Sequence, residues 1–360
     1  MMTDNGIDTN ILASKQALIA GYGIGAHVAG MIHLGLELGL YGALYESGPS
    51  TSEELAASSA LHERWLREWL YQQATSRVLD YDASTKRFSI SPEVWVLLGD
   101  PDELRTLRAN FAGLTYRFAM LDQVPEAFRT GIGVAWDDRG PRAAEMTELL
   151  FRNWYRHVLV PVALPMLDGV VPALQAGARV ADVGCGAGLA MIEMAKAFPL
   201  AQLHGYDTSL QAIARGQAHA RDAGASNVTF HDANSDVLPD VPTFDLVMTF
   251  DCLHDMTHPH EAAAAIRRAI KPDGTWFIAD INGGADFEEN LAKRPLSALF
   301  YAISVMSCMS SALSEEGGAG YGTLGLPEAE MQKLVQGAGF SRFRRVDLTH
   351  PVNAFYEARI

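Results

Sequence analysis

The chain has 360 residues, 48% of them hydrophobic and 20% charged, with a formal net charge of -15. That length predicts two domains, and that composition predicts a globular chain with a sizeable core. The acidic balance argues against polyanionic partners, both nucleic acid and anionic membrane, and suits a neutral or cationic small molecule.

Residues 1–10, MMTDNGIDTN, are polar, carry no signal pattern and read as disordered. The apolar stretch Leu18–Leu44 contains His27, His33 and Glu37, so it reads as a buried amphipathic helix and not a membrane span. Within 11–45, one or two helices are expected, with Ile32, Leu34, Leu36, Leu38 and Leu40 at helical spacing. Gly48-Pro49 marks a turn, and the Ser/Thr residues that follow, with Glu53 and Glu54, predict a capping box before a helix over Glu53–Ser58. His62–Thr75 predicts a second helix with Trp65, Leu66, Trp69 and Leu70 on one face. Val78–Tyr81 and Arg87–Ile90 around the Asp82–Lys86 turn predict a hairpin. Helix, helix, hairpin is the order of a winged helix, so 11–100 is assigned to such a domain. Its other common use is DNA binding, but between residues 50 and 100 five Arg/Lys face eight Asp/Glu. Dimerisation or pocket construction therefore suits it better than a DNA-reading head.

Residues 101–175 read as a helical linker and pocket region, with a loop at Gly131–Gly140 and an exit broken by Pro161, Pro165 and Pro172. From Ala178 the pattern alternates. Strands are predicted at Arg179–Val183, Gln202–Tyr206, Asn227–His231, Asp245–Phe250 and Thr275–Ile281, with helices at Leu189–Phe198, Ser209–Ala223 and Pro259–Ile270. Such alternation predicts an α/β, Rossmann-like fold, a mostly parallel sheet covered on both faces over 176–360. The helix Pro327–Ala338 precedes strands at Arg344–Leu348 and Ala354–Arg359, whose short link makes them antiparallel. Residues 282–326 form an insertion, apolar and helical over Leu296–Met309, with Glu315–Gly320 as a candidate lid.

The strand-to-helix segment Val180-Ala181-Asp182-Val183-Gly184-Cys185-Gly186-Ala187-Gly188 carries the functional signal. Its glycines permit a sharp bend and close ligand approach, and amides at a helix start favour a carboxylate or phosphate. The pattern DxGxGxG differs from the dinucleotide GxGxxG, and Asp182 suits an ammonium better than a pyrophosphate. Asp207, beside Thr208, ends the second strand, where an acid can accept ribose hydroxyls. Asp232, Ala233 and Asn234 end the third, where a carboxylate can meet an adenine amino group.

These residues resemble the class I methyltransferases that use S-adenosylmethionine (SAM) and release S-adenosylhomocysteine. The likeness covers about residues 178–360 and includes Lys271–Gly274 and Gly337–Phe340. It implies a seven-stranded sheet, with Gly184, Gly186 and Gly188 on the methionine and ribose, Asp207 on the ribose, Asp232 and Ala233 on the adenine, and Phe250 or Asp251 bordering the other side. Asp251-Cys252-Leu253-His254-Asp255-Met256 is similar to a segment of small-molecule O-methyltransferases that also carry an N-terminal winged-helix dimerisation domain. The resemblance implies that His254 is a general base, with Asp255 beside it, that Asp280 orients it, and that the enzyme is a homodimer. This chain departs from that pattern at Met256, where the family has an aromatic, and near Gly325, where it has a second acid.

His254, Asp255, His258 and His260 have metal-compatible spacing, but Pro259 opens a helix among them and no cysteine joins, so no metal is expected. Cys185, Cys252 and Cys308 are scattered and include no CxxC pair, which points to a reducing compartment, the cytoplasm. No motif names the acceptor. A pocket between the N-terminal helices and the insertion is expected, with Tyr22, His27, Trp154, Tyr301, Met306 and Tyr321 as candidate lining residues. N-, S- or C-methylation, and a winged-helix regulator with a SAM-binding sensor domain, remain open alternatives.

Overall fold

The structure is a computed structural model that describes residues 6–140 and 142–360. It divides into two compact units, Met1–Thr115 and Tyr116–Ile360. The expected linker region 101–175 is therefore not a separate element: its first part packs with the N-terminal unit and the rest with the C-terminal one.

In the first unit, helix α1 (Thr9–Glu37) starts where Asp8 accepts the backbone N–H of Asn10 at 2.8 Å. The disorder expected over 1–10 thus ends by Asp8, and residues 1–5 lie outside those described. Helices α2 (Leu40–Ser47), α3 (Ser52–Ser59) and α4 (Glu63–Thr75) lead into an antiparallel hairpin of β1 (Asp80–Asp82) and β2 (Arg87–Ser89). The capping box is formed by Thr51 and Glu54, each side chain meeting the other's backbone N–H. Leu66, Trp69 and Leu70 of α4 are buried, and the Trp69 indole donates to Met31 O at 2.9 Å, but Trp65 is 80% exposed. It points away from the face it was expected to share.

Helix α1 is not the buried amphipathic helix expected. Only Ile32 and Gly35 along it are buried, while Ile11, Leu12, Leu18, Ile19, Tyr22 and Ile24 are exposed. Its apolar residues are spread round the helix, so no single stripe can turn to a core. By length and composition alone it could cross a membrane.

The second unit is built on a seven-stranded sheet in the order β5-β4-β3-β6-β7-β9-β8. The strands are β3 (Arg179–Val183), β4 (Gln202–Asp207), β5 (Val228–Asp232), β6 (Phe244–Phe250), β7 (Ile270–Ile281), β8 (Arg342–Val346) and β9 (Asn353–Arg359). The first five are parallel, and β9 runs antiparallel between β7 and β8. The central strands β6 and β7 are apolar on both faces because both are covered. Helices Pro259–Ala269 and Glu328–Gly337 contribute to the core on one side; Leu189–Ala197 and the segment Leu159–Leu174 contribute to the other. Lys271–Gly274 proves to be part of β7 instead of a turn before it, accommodated by a register shift opposite Phe244–Leu246.

The prolines do not break the exit of the helical region as expected. Helix Arg142–Trp154 runs directly into a π-helical stretch, Tyr155–Ala163, which holds Pro161, and then into Leu164–Met166. An i→i+5 pattern leaves room for a residue without a backbone donor. The insertion contains Phe287–Lys293, Ser297–Met306 and Cys308–Ala312.

Candidate active site

Where β3, β4 and β6 end, at the carboxyl edge of the parallel sheet, lies a cavity of about 590 Å³. Ligands in open α/β sheets bind at such an edge, where strand order reverses. Here the reversal falls at β3, which has β4 on one side and β6 on the other. One wall is the bend Val183–Ala187 with Tyr206–Ser209, Ala233, Asn234 and Phe250–Cys252. The rest of the lining, a second wall, is Ala135–Asp137, residues of helix Arg142–Trp154, Tyr155, the segment Asp255–His258, and Ser311, Ser314 and Glu315 of the insertion.

Of the eleven residues expected to hold a cofactor, Gly184, Gly186, Asp207, Thr208, Ala233, Asn234, Phe250 and Asp251 line this cavity; Asp182, Gly188 and Asp232 do not. Gly186 has φ +53° with nothing within 4 Å of where a Cβ would sit, so its backbone is open to close approach. Gly188 serves a different purpose: a Cβ there would lie 2.5 Å from the Phe230 ring, so its glycine lets the helix pack on β5. Asp232 also stands outside the lining. Its carboxylate turns into its own loop, accepting from Asn234 N and Ser235 Oγ at 3.0 Å each. Asp207 accepts from Gly186 N at 2.7 Å and Ser209 N at 2.8 Å, which fixes it against the bend.

Carboxylates dominate the electrostatics of the backbone wall. Burial, reinforced by Asp207, pushes Asp182 up to about 7, and its Oδ1 is buried without a partner. Burial also pushes Asp251 up to about 7, against the opposing pull of His254 and an Asn353 amide 2.7 Å from its Oδ1. Asp251 sits at φ +58°, a strained conformation for a residue with a side chain. Asp182 lies behind the lining, so its orphaned carboxyl lends acidic character to the bend without itself facing the cavity.

His254 is 1% exposed and does not line the cavity; Asp255, its neighbour, does. His254 Nδ1 pairs with Asp280 Oδ1 at 2.6 Å. Burial alone would favour neutral imidazole, but Asp280, aided by Cys308, outweighs it and holds the group well above the usual histidine range. Asp255 is pushed up to about 6 by burial and accepts the Trp136 indole N–H at 3.2 Å. The metal-compatible set read from the sequence is not assembled: His258 faces Glu315 at 3.6 Å and His260 meets the Tyr321 hydroxyl at 3.1 Å.

None of the six expected acceptor residues lines the cavity. Tyr22 and His27 are exposed on α1 in the first unit. Trp154 is absorbed into the core, stacked 5.1 Å from Phe355. Tyr301 lies near Phe287, Met306 is half-buried on its helix, and Tyr321 is tied to His260. Sequence reasoning missed the wall that does exist. Trp136 stands on a glycine-flanked loop with no period to betray it, and Phe151 and Tyr155 look like core filler at i, i+4. That loop is well anchored. Arg139, 6% exposed, lies 4.6 Å from the Trp136 ring and donates to Ser307 Oγ and Ser307 O at 2.7 Å each.

Comparison with known proteins agrees with this layout. Residues 174–322 match the methyltransferase domain family, and residues 26–99 match the Rv2258c-like winged HTH domain. A ubiquinone biosynthesis O-methyltransferase of Paracidovorax citrulli is 32% identical over 151 residues, 39% of this chain and 62% of that enzyme. The enzyme of the same description from Xylella fastidiosa is 30% identical over 168 residues, 46% of this chain and 61% of its own length. The chain thus spans less than two thirds of these relatives. Among solved structures, mitomycin 7-O-methyltransferase MmcR superposes with TM-score 0.68 at 19% identity, covering 98% of this chain and 100% of that one. Human N-acetylserotonin methyltransferase in complex with SAM gives 0.67 at 16%, covering 99% of each. At such identities the likeness establishes the fold. By these matches residues 174–322 carry a methyltransferase domain and residues 26–99 a winged helix-turn-helix domain.

Proposed function

We propose that the chain is a SAM-dependent methyltransferase acting on a hydroxyl oxygen of a small-molecule acceptor, with His254 as the base. The observation that carries this reading is the convergence of Gly184, Gly186, Asp207, Asn234 and Asp251 on one cavity at the sheet's carboxyl edge. Gly186 would admit the methionine part of the cofactor, Asp207 would accept its ribose hydroxyls, and Ala233 and Asn234 would border the adenine. Bound there, SAM supplies an activated methyl group on a sulfonium, so the protein's own task is mainly in-line positioning. Asp280 fixes the ring of His254 and favours its charged form, so the base is the minor neutral ring, which must reach the acceptor past Asp255 because His254 itself does not line the cavity. Trp136 and Asp255 form the cavity wall nearest that histidine, and the acceptor would approach along it. The exposed apolar residues of α1 suit pairing with a second copy of the chain, which a mass measurement in solution would test.

Incubation with isotopically labelled SAM and a panel of phenols, thiols and amines tests the assignment. Label appearing on oxygen supports it; label only on nitrogen or sulfur overturns the choice of atom. A second reading, a ligand-sensing regulator, is favoured by the winged-HTH match. Retention of the chain on DNA at physiological salt would support that reading, while the acidic balance of residues 50–100 opposes it.

A further inference from the structure

Behind the wall formed by Asp255, two distant segments bring three different donor types together. A ring nitrogen of His254, a carboxylate oxygen of Asp255 and Sγ of Cys308 lie within 4.8 Å of one another, and all three residues are buried. Cys308 arrives on the short helix Cys308–Ala312, and its segment is pinned at several points: Gly322 N donates to His254 O at 3.1 Å, and Ala319 N donates to Thr257 O at 2.9 Å. We infer that His254, Asp255 and Cys308 form a site for one thiophilic divalent cation of the zinc class, entered through the cavity.

Five observations support this. Nitrogen, oxygen and sulfur together make a donor set that favours zinc-like ions over magnesium or calcium. Asp280 already grips Nδ1 of His254 at 2.6 Å, leaving Nε2 for a ligand. A carboxylate behind the imidazole is the usual outer support of a metal-bound histidine. Asp280 Oδ2 is buried without a partner, so the pocket holds more acceptor capacity than the protein itself satisfies. The charge also balances: Asp255 and a Cys308 thiolate would meet the ion, with Asp280 behind His254 and the Arg139 guanidinium as a nearby cation. Binding expels the thiol proton of Cys308 and any proton on Nε2, and no oxidant or reductant is involved. Asp255 also faces the cavity, which leaves an open coordination position towards it.

The consequence for catalysis rests on the proposed role of His254: an ion on Nε2 takes the lone pair that would accept the acceptor's proton. Zinc would thus be an inhibitor that competes with the base and not with SAM.

The test is titration of the full chain with Co²⁺ alone, read by absorption. A thiolate-to-cobalt charge-transfer band that saturates at one equivalent is expected, and Zn²⁺ should erase it. Substituting serine at Cys185 and Cys252 leaves Cys308 as the chain's only thiol, and the band should persist in that double variant. Cys308→Ala should abolish it, and His254→Gln should weaken cobalt binding by about tenfold or more, the size seen when metal-site support is lost. No band in the wild type at about millimolar Co²⁺, or a band that survives Cys308→Ala or vanishes in the double serine variant, overturns the site. If Cys308→Ala does not fold, the double variant still decides. SAM calorimetry on the same samples keeps the two readings apart: loss of SAM binding with an intact cobalt band sinks the cofactor assignment alone, and the reverse sinks only the metal site.

Discussion

The two walls of the cavity are built on opposite principles. One is backbone: a glycine bend and three strand tips, fixed by the parallel ladder of β4, β3 and β6. The other is side chain: Trp136, Phe151, Tyr155, Asp255 and Ser311, drawn from segments far apart in sequence and held by a few polar clasps. The backbone wall recognises groups that never change, so its geometry can be rigid. The side-chain wall can be altered one residue at a time without disturbing the sheet. On the proposed function, cofactor recognition and acceptor choice are therefore separable in this molecule.

Substitutions can break that separation or sharpen it. The largest expected effect is from His254→Ala, which should cut turnover by about 10²–10⁴ while leaving SAM affinity intact. A parallel loss of affinity in calorimetry would mean the two walls are coupled. Next, Asp207→Ala should weaken SAM binding by about 100-fold, because it removes both a ribose acceptor and the clasp on Gly186 N; unchanged affinity contradicts the ribose assignment.

A pH series probes the buried acids around the cavity, Asp182 and Asp251, each near 7, and Asp255, near 6. Asp182 is held neutral up to about 7, against 3.8 for the free acid. Its folded value is the higher one, so its contribution to the stability of the free protein falls as pH rises from about 4 to 7 and levels off above. A cationic ligand favours the carboxylate and releases its proton. SAM affinity should rise about fivefold between pH 6 and 7, and approach the limiting tenfold per unit for one coupled proton only below pH 6. The binding enthalpy should then vary with the ionisation enthalpy of the buffer, and a flat profile would remove Asp182 from the ligand's surroundings.

The smallest effect tests the clasp between the walls. Glu148, 4% exposed, takes Arg215 Nε at 2.5 Å and His219 Nε2 at 3.0 Å. Arg215 is about a third exposed, so water screens part of the pair. Glu148→Gln should lower the unfolding temperature by only a few degrees, on the basis of about 1–2 kcal/mol. A drop in SAM affinity with no change in stability would assign Glu148 to the ligand and not to the clasp.

The same division governs what could be read from the chain. Arg179–Val183 and its bend were legible because their signals are local: an apolar run, then glycines at fixed spacing. The placement of β9 between β7 and β8 was only half legible. The antiparallel pair follows from a short link, but nothing local says which strand meets β7. The side-chain wall was not legible at all, since Trp136 gains its meaning only from a hydrogen bond to Asp255, 119 residues away. Trp154 misled for a related reason. An aromatic flanked by arginines reads as a binding residue until the fold stacks it on Phe355. Asp232 looked like a ligand from its strand position, but an acid two residues before Asn234 can equally close its own turn.

The π-helical stretch at Tyr155–Ala163 carries a consequence for how this wall can evolve. A wider turn accommodates one residue more than an α-helix would in the same axial length. Phe151 looks into the cavity from the helix before that widening and Tyr155 from its first residue, while Leu159 and Ala163 anchor the later part of the stretch in the core. Deleting a single residue here would restore ordinary winding and swing everything upstream by about 100° about the axis. Both aromatic rings would leave the cavity while the anchoring leucine stayed put. A change in chain length of one, with no substitution in the wall itself, is thus a route by which a descendant could remodel its choice of acceptor.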